Sequence, residues 1–203
     1  MSKKFIAVAG NMGVGKTTLV EWLCDQYGFV PFVEPNVSNP YLDDFYKDFS
    51  AFAFHSQIYF LTHKFRLHRE LERCTGTVVQ DRTIYEDAEI FARNLHLLRY
   101  MSKRDFTTYM ELYGVMRREL APPDLMIYLR CTVPSIQRRI TMRGRTNEQQ
   151  IPEAYLRRLN RLYEEWIRHY NLSPVLIWPT HKMDYLTDLV HHINFRKAVE
   201  SFL

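Results

Sequence analysis

Short apolar runs alternate along the chain with longer segments whose apolar residues recur every three or four positions. The run Phe5–Ala9 ends at Gly10 and predicts a buried first strand. Residues Lys16–Tyr27 follow a helical pattern, with Leu19, Trp22 and Leu23 on one face and Gly28 as a stop. Further strands are predicted over 29–33, 77–80, 124–129 and 174–178. Helices are predicted over 41–49, 52–74, about 83–98 and about 103–120. Pro134 opens another helix, as proline does in a first turn, and Arg143-Gly144-Arg145 breaks it. A long amphipathic helix starts at Ile151-Pro152 and runs to about Tyr170, and a last one covers 185–202. Strands that alternate with helices predict an α/β domain with a parallel sheet, the helices serving as right-handed crossovers. No repeat or low-complexity run interrupts the pattern, and the 203 residues read as a single domain.

The junction of the first strand and first helix carries a specific motif. Gly10-Asn11-Met12-Gly13-Val14-Gly15-Lys16-Thr17 fits G-x-x-x-x-G-K-[ST] and lies between a strand and a helix start, where its mechanism requires it. Glycines let the backbone curl so that successive N–H groups face a phosphate, and the helix N-terminus adds partial positive charge. Lys16 would reach the β- and γ-phosphates, and the Thr17 hydroxyl would ligate Mg²⁺. The candidate nucleotide-binding set runs from Gly10 to Thr18. The alternative, a glycine turn without a ligand, does not explain that context.

This loop indicates a nucleoside triphosphate without naming the acceptor. A GTPase would add an N-K-x-D base-reading motif, and none occurs. A motor ATPase would want a longer chain. A small-molecule kinase needs an acceptor pocket and a mobile basic lid, and residues for both are present. Glu34-Pro35 ends the second strand, and Asp81-Arg82-Thr83 ends the third. Open parallel sheets bind ligands beyond the carboxyl ends of their strands. A carboxylate there can take the proton of an attacking hydroxyl, and another can hold Mg²⁺ directly or through water. Thr83 suits a helix N-cap. Arg139 and Arg143 are four apart on one helix, and Arg145 lies beyond Gly144. Arginines over a transferring phosphoryl group stabilise its spread charge, so this cluster reads as a lid. The plainer readings are a turn acid at Glu34, a surface ion pair with a cap at Asp81-Arg82, and a solvated basic helix face at the arginines.

Composition narrows the classes without adding one. Hydrophobic residues are 46%, charged residues 25% and the formal net charge is +4, which excludes a disordered chain, a collagen and a coiled-coil rod. The weak positive balance suits small anions and does not call for a nucleic acid polymer. Cys24, Cys74 and Cys131 are odd in number and widely spaced, so neither a disulfide framework nor a zinc site is predicted, and a reducing cytoplasm is the expected compartment. The apolar run after Lys4 is too short for a signal peptide, and no stretch approaches the roughly 20 apolar residues of a membrane span.

Taken together, the motifs resemble the deoxyribonucleoside kinases, in particular the group of deoxycytidine, deoxyguanosine and bacterial deoxyadenosine kinases. The resemblance is nearly end to end. It rests on residues 10–17, Val33-Glu34-Pro35, residues 54–59 with Gln57, Asp81-Arg82-Thr83-Ile84-Tyr85-Glu86-Asp87, and the stretch from Arg139 to Arg145 leading to Glu148-Gln149-Gln150-Ile151-Pro152. It implies a P-loop nucleoside-kinase-like three-layer α/β fold with a five-stranded parallel sheet and an Arg-rich lid at about 139–150. It implies ATP-dependent, Mg²⁺-assisted phosphorylation of a deoxyribonucleoside 5′-hydroxyl, in nucleotide salvage.

Roles follow from matching positions. Glu34 is similar to the general base, with Arg82 its partner on the hydroxyl and Lys16 and Arg143 on the phosphates. Asp81 stands at the family's acidic Mg²⁺ position, although many members have glutamate and serine where this chain has Asp81 and Thr83. Tyr46 and Glu148 match the pair on the 3′-hydroxyl. Gln57 matches the amide reading the base edge, and Phe91 the ring stacked on the base. Arg139, Arg143 and Arg145 match the lid arginines, and Asp184 falls in the loop implied to hold adenine. The resemblance also implies a homodimer packed through two long helices, near 53–74 and 83–98.

Base preference turns on Asp87 and Lys64. Asp87 matches a position that is acidic in cytosine- and purine-selective members. Lys64 stands seven residues after Gln57, where selective relatives often carry arginine, and a lysine lacks the two-pronged guanidinium. Thymine would leave Asp87 poorly satisfied, which favours a purine deoxynucleoside, with a deoxycytidine-preferring or broad-specificity kinase as the alternative. Lys64 reads equally well as a solvated helix lysine. Two rival functions remain. A thymidylate-like nucleoside monophosphate kinase often has an arginine just before its E-P, where this chain has Val33. A non-catalytic nucleotide-binding subunit would not need Glu34, Arg82 and the lid arginines. Trp22 and Trp166 suit core or interface positions, and His191-His192 lack partners for a metal.

Overall fold

The computed structural model describes residues 3–33, 39–144, 151–180 and 189–203. The chain divides into two compact units, one of Met1–Val33, Thr75–Arg82 and Pro122–Leu203, the other of Glu34–Cys74 and Thr83–Ala121.

The first unit holds the whole sheet. Its strands are β1 (Phe5–Ala9), β2 (Val30–Phe32), β3 (Val78–Asp81), β4 (Leu125–Arg130) and β5 (Val175–Pro179). All pair in parallel, in the order β2-β3-β1-β4-β5. β1, β3 and β4 are buried almost throughout; β1 and most of β4 are therefore apolar runs rather than alternations, whereas β3 turns polar at Gln80 and Asp81. Three of the predicted strands are shifted by one residue. At β4 the cause is visible: Asp124 stays outside the strand, its carboxylate accepts from Phe5 N at 2.7 Å, and its own N–H donates to Phe5 O at 2.7 Å. β2 is trimmed at both ends to three residues.

Helices α1 (Lys16–Tyr27), α7 (Val133–Arg143), α8 (Glu153–His169) and α9 (Leu189–Glu200) complete this unit. Leu19, Val20 and Leu23 of α1 join Ile6, Val8, Ile127, Leu129, Ile136, Leu156 and Phe195 in one core. Each such fully buried side chain contributes roughly 1.5–3 kcal/mol. The α1 C-terminus closes on Gly28, whose backbone N–H donates to Cys24 O at 2.8 Å from a left-handed conformation that glycine adopts without steric cost. Trp22 meets His192 edge-on and donates to its ring at 3.1 Å, so that histidine packs within the fold.

The second unit is helical: α2 (Leu42–Lys47), α3 (Phe49–Arg73), α4 (Ile84–Glu86), a π-helical stretch (Asp87–Ala92), α5 (Arg93–Leu97) and α6 (Lys103–Arg118). Asp48 caps α3 by accepting from Ala51 N at 3.0 Å. The buried face of α3 runs through Ala53, Gln57, Leu61, Lys64, His68 and Leu71. Lys64 is 0% exposed, which overturns its reading as a solvated lysine. His68 faces Ala121 O at 2.9 Å through Nε2, and burial holds its pKa below the ordinary imidazole value, so a neutral ring donates that bond. The single helix predicted at 83–98 is instead α-helical, then π-helical, then α-helical again. Only tertiary packing decides such a widened turn, and π-helical turns concentrate at functional sites.

No helix among the described residues is long and apolar enough to cross a membrane.

Candidate active site

β1 lies at the point where the strand order reverses, between β3 and β4, and its carboxyl end opens directly into the glycine loop. Such switch points are where open α/β sheets bind ligands. The loop's glycines are required by space as well as by conformation. Gly13 has φ +69°, and a Cβ there would stand 2.9 Å from Ile140 Cγ1 on α7. Gly10 has φ +149°, and a Cβ there would stand 2.9 Å from Leu129 O.

Lys16 is the first residue of α1 and is only 8% exposed. Its Nζ donates to Gly10 O at 2.9 Å and Asn11 O at 3.0 Å, which holds the ammonium across the mouth of the loop. Asn11 is 2% exposed and its side chain faces the protein. Its Nδ2 donates to Leu156 O at 3.0 Å and Asn160 Oδ1 at 2.6 Å, and its Oδ1 accepts from Met12 N at 2.8 Å. Asn160 Nδ2 in turn donates to Cys131 O at 2.9 Å. The loop is therefore bolted to α8 and to the exit of β4. Asn160 was not among the sequence candidates. Its trace in the sequence is a polar residue one turn after Leu156, beside an apolar stripe.

The Thr17 hydroxyl donates to Asp81 Oδ2 at 2.7 Å. Asp81 ends β3 in register with Val8, so the loop and the β3 terminus present one hydroxyl and one carboxylate side by side. These are hard oxygen donors and fit Mg²⁺, which keeps several waters and completes its shell with phosphate oxygens. Among the described residues no cluster of three His, Cys, Asp or Glu side chains could hold a metal alone.

Arg82 follows at once, with φ +59°. A non-glycine residue in this region carries strain, and such residues cluster at functional sites. Its N–H donates to Val8 O at 3.1 Å, which fixes the backbone there. Glu86 accepts from Thr83 N at 3.0 Å at the start of α4.

The arginines separate. Arg143 is exposed at the last turn of α7, before Gly144 caps the helix from a left-handed conformation. Arg139, expected beside it over the phosphates, is engaged with the protein: Nη1 donates to Val14 O at 2.8 Å and Thr180 Oγ1 at 3.2 Å, and Nη2 to Thr180 O at 2.7 Å. Glu34, Arg145, Glu148 and Asp184 lie outside the described residues.

In the second unit, α3 and α6 both pack against the π-helical stretch. Gln57, Lys64 and Asp87 are all buried on these packed elements, and Phe91 is half-buried on the π-helical stretch. Gln57 Oε1 and the Tyr109 hydroxyl are buried without a hydrogen-bond partner among the described residues. Buried polar atoms are normally satisfied, so such orphans mark a place where a ligand or water belongs. Burial, and then the Asp87 charge, push the Tyr109 phenol well above its ordinary value, so it remains a neutral donor. Tyr109 was not a sequence candidate, and nothing in its helical spacing distinguishes it from a core tyrosine. Tyr46 is 65% exposed on α2, its ring against Phe45 and Phe49.

Comparison with known proteins agrees with this geometry. A deoxyadenosine/deoxycytidine kinase of Bacillus subtilis (strain 168) is 41% identical over 185 residues, covering 90% of this chain and 85% of the relative. A deoxyguanosine kinase of the same strain is 31% identical, covering 81% of this chain and 78% of the relative. The solved structure of deoxyadenosine kinase from M. mycoides with bound dCTP superposes with a TM-score of 0.79 at 31% identity, over 96% of this chain and 99% of that one. The deoxynucleoside kinase family matches residues 6–203. A phosphate loop at the sheet's switch point, a hydroxyl–carboxylate pair beside it and a match over nearly the whole chain lead to one conclusion: this chain belongs to the deoxynucleoside kinase family and is a phosphotransferase.

Proposed function

We propose that the chain transfers the γ-phosphoryl group of ATP to the 5′-hydroxyl of deoxyadenosine, and accepts deoxycytidine through the same base contacts. The observation that carries the base assignment is the buried polar group set of the second unit, Gln57, Lys64 and Asp87, with Gln57 Oε1 left without a partner among the described residues. An amide offers one donor and one acceptor side by side. Adenine and cytosine both present an exocyclic amine next to a ring nitrogen acceptor, which is the complement of that pair. The relatives named for deoxyadenosine and deoxycytidine support the same choice.

In this reading Glu34 takes the hydroxyl proton, Arg82 orients the attacking oxygen, and Tyr46 and Glu148 hold the 3′-hydroxyl. Phe91 stacks on the base. The loop N–H groups from Gly10 to Thr18 and the Lys16 ammonium bind the triphosphate. Arg143 and Arg145 stabilise the transferring group, and Asp184 lies in the segment assigned to adenine. Thr17 and Asp81 would hold Mg²⁺, which when bound would neutralise charge on the phosphate oxygens. The nucleoside reading is favoured over a monophosphate acceptor by Val33, which puts no cation before Glu34 to receive an acceptor phosphate. We further propose a homodimer through α3 and the 84–97 helical stretch, placed in the cytoplasm. The outer side of α3 supports it, where Phe54, Ile58, Tyr59 and Arg66 line a surface cleft of about 330 Å³.

Asp87→Ala tests the base contacts. Removing the carboxylate should relax selection against thymidine, narrowing the kcat/KM ratio of deoxyadenosine to thymidine by roughly ten-fold or more. An unaltered ranking of the four deoxynucleosides would show that Asp87 does not read the base.

A further inference from the structure

We infer that Arg139 is a positioning residue that shapes the phosphate loop from behind, rather than a lid group that touches the transferring phosphoryl. The assignment rests on the reading of residues 10–17 as a phosphate-binding loop. One guanidinium reaches two separate pieces of backbone. Its Nη1 donates to Val14 O, inside the loop, at 2.8 Å, and its Nη2 donates to Thr180 O, just beyond β5, at 2.7 Å. Thr180 Oγ1 accepts at 3.2 Å, and Cys131 Sγ lies at 3.9 Å. Thr180 is itself anchored, its N–H donating to Arg130 O at 2.8 Å at the end of β4. The side chain therefore ties the loop to the carboxyl edge of β4 and β5.

The consequence for the loop is geometric. A trans peptide is planar, and its C=O and N–H point in opposite directions. Holding Val14 O on the guanidinium directs the following Gly15 N–H away from Arg139. Gly15 has φ +99° and opens α1, where loop N–H groups meet phosphate. The same helix touches the loop a second time, because Ile140 fills the space a Cβ at Gly13 would need. Two consecutive residues of α7 thus support two of the loop's peptides, Ile140 by contact and Arg139 by charge-assisted hydrogen bonds.

Lysine keeps the charge but is a single point donor, and it cannot bridge Val14 and Thr180 as a planar fork does. Arg139→Lys and Arg139→Gln should therefore behave alike. Amide hydrogen exchange of the full chain without nucleotide should speed up roughly ten-fold in the peptides covering 10–17 and 175–180, and stay unchanged in β3. The dissociation constant for ATP should rise by a similar factor while that for deoxyadenosine stays fixed. Unchanged exchange in the loop would overturn the assignment, and so would full protection in the lysine variant. Acceleration extending to β3 would overturn it too, as the sign of a general fold contact. A fall in kcat with exchange and ATP affinity intact would return Arg139 to the lid. Exchange is read without turnover, so an inactive acceptor in the kinase assay would not disturb this result.

Discussion

Lys16→Met should reduce phosphoryl transfer by roughly 10²- to 10³-fold, the effect of removing one preorganised donor from a transferring oxyanion. The ammonium is nearly buried and held by the carbonyls of Gly10 and Asn11, so it stands at a defined point of the loop. Methionine preserves much of the unbranched stem and removes the ammonium, its charge and its N–H donors together. Deleting it also leaves two loop carbonyls one donor short, at a cost of roughly 1–3 kcal/mol. A thermal melt must therefore accompany the assay. A folded variant with ATP turnover within a few fold of the parent would mean that Lys16 does not act on the phosphates.

Arg82→Gly should separate activity from stability. Arg82 sits at φ +59°, which costs a non-glycine residue about 1–2 kcal/mol. Glycine removes that strain but gives the unfolded chain more freedom, by roughly 0.5–1 kcal/mol. The two backbone terms nearly cancel, so the melting temperature should stay within a few degrees of the parent unless the side chain itself supports the fold. If Arg82 orients the attacking hydroxyl as proposed, turnover should fall roughly 10²-fold. A melt lowered by many degrees would identify Arg82 as a structural residue, and retained turnover would remove it from the site.

The parts of this molecule that could be read in the sequence are those fixed by local chemistry. β1 and β4 announce themselves as apolar runs because both sheet faces are covered. The loop is legible because glycine spacing and its strand–helix context are both needed for one job. The buried face of α3 was only partly legible: the apolar positions Phe54, Ile58, Leu61, Phe65 and Leu71 point to one stripe, while the buried face runs through Ala53, Gln57, Leu61, Lys64, His68 and Leu71. A lysine on that face is a contradiction that burial resolves.

What stayed hidden depends on contacts between distant segments. The π-helical turn at Asp87–Ala92 differs from α-helix only in the next hydrogen-bond partner, and no residue type encodes it. The partners of Arg139 are largely backbone carbonyls, which leave no mark on the sequence at Val14 or Thr180. The left-handed conformation of Arg82 is equally silent, because arginine has no preference for it.

The most direct measurement is phosphoryl transfer by the full chain with ATP and Mg²⁺, run in parallel against deoxyadenosine, deoxycytidine, deoxyguanosine, thymidine and their 5′-monophosphates, with products separated by chromatography. The proposed function predicts conversion of deoxyadenosine and deoxycytidine to their 5′-monophosphates ahead of thymidine, with every monophosphate inert. Turnover of a monophosphate while all four nucleosides stay unchanged would contradict it.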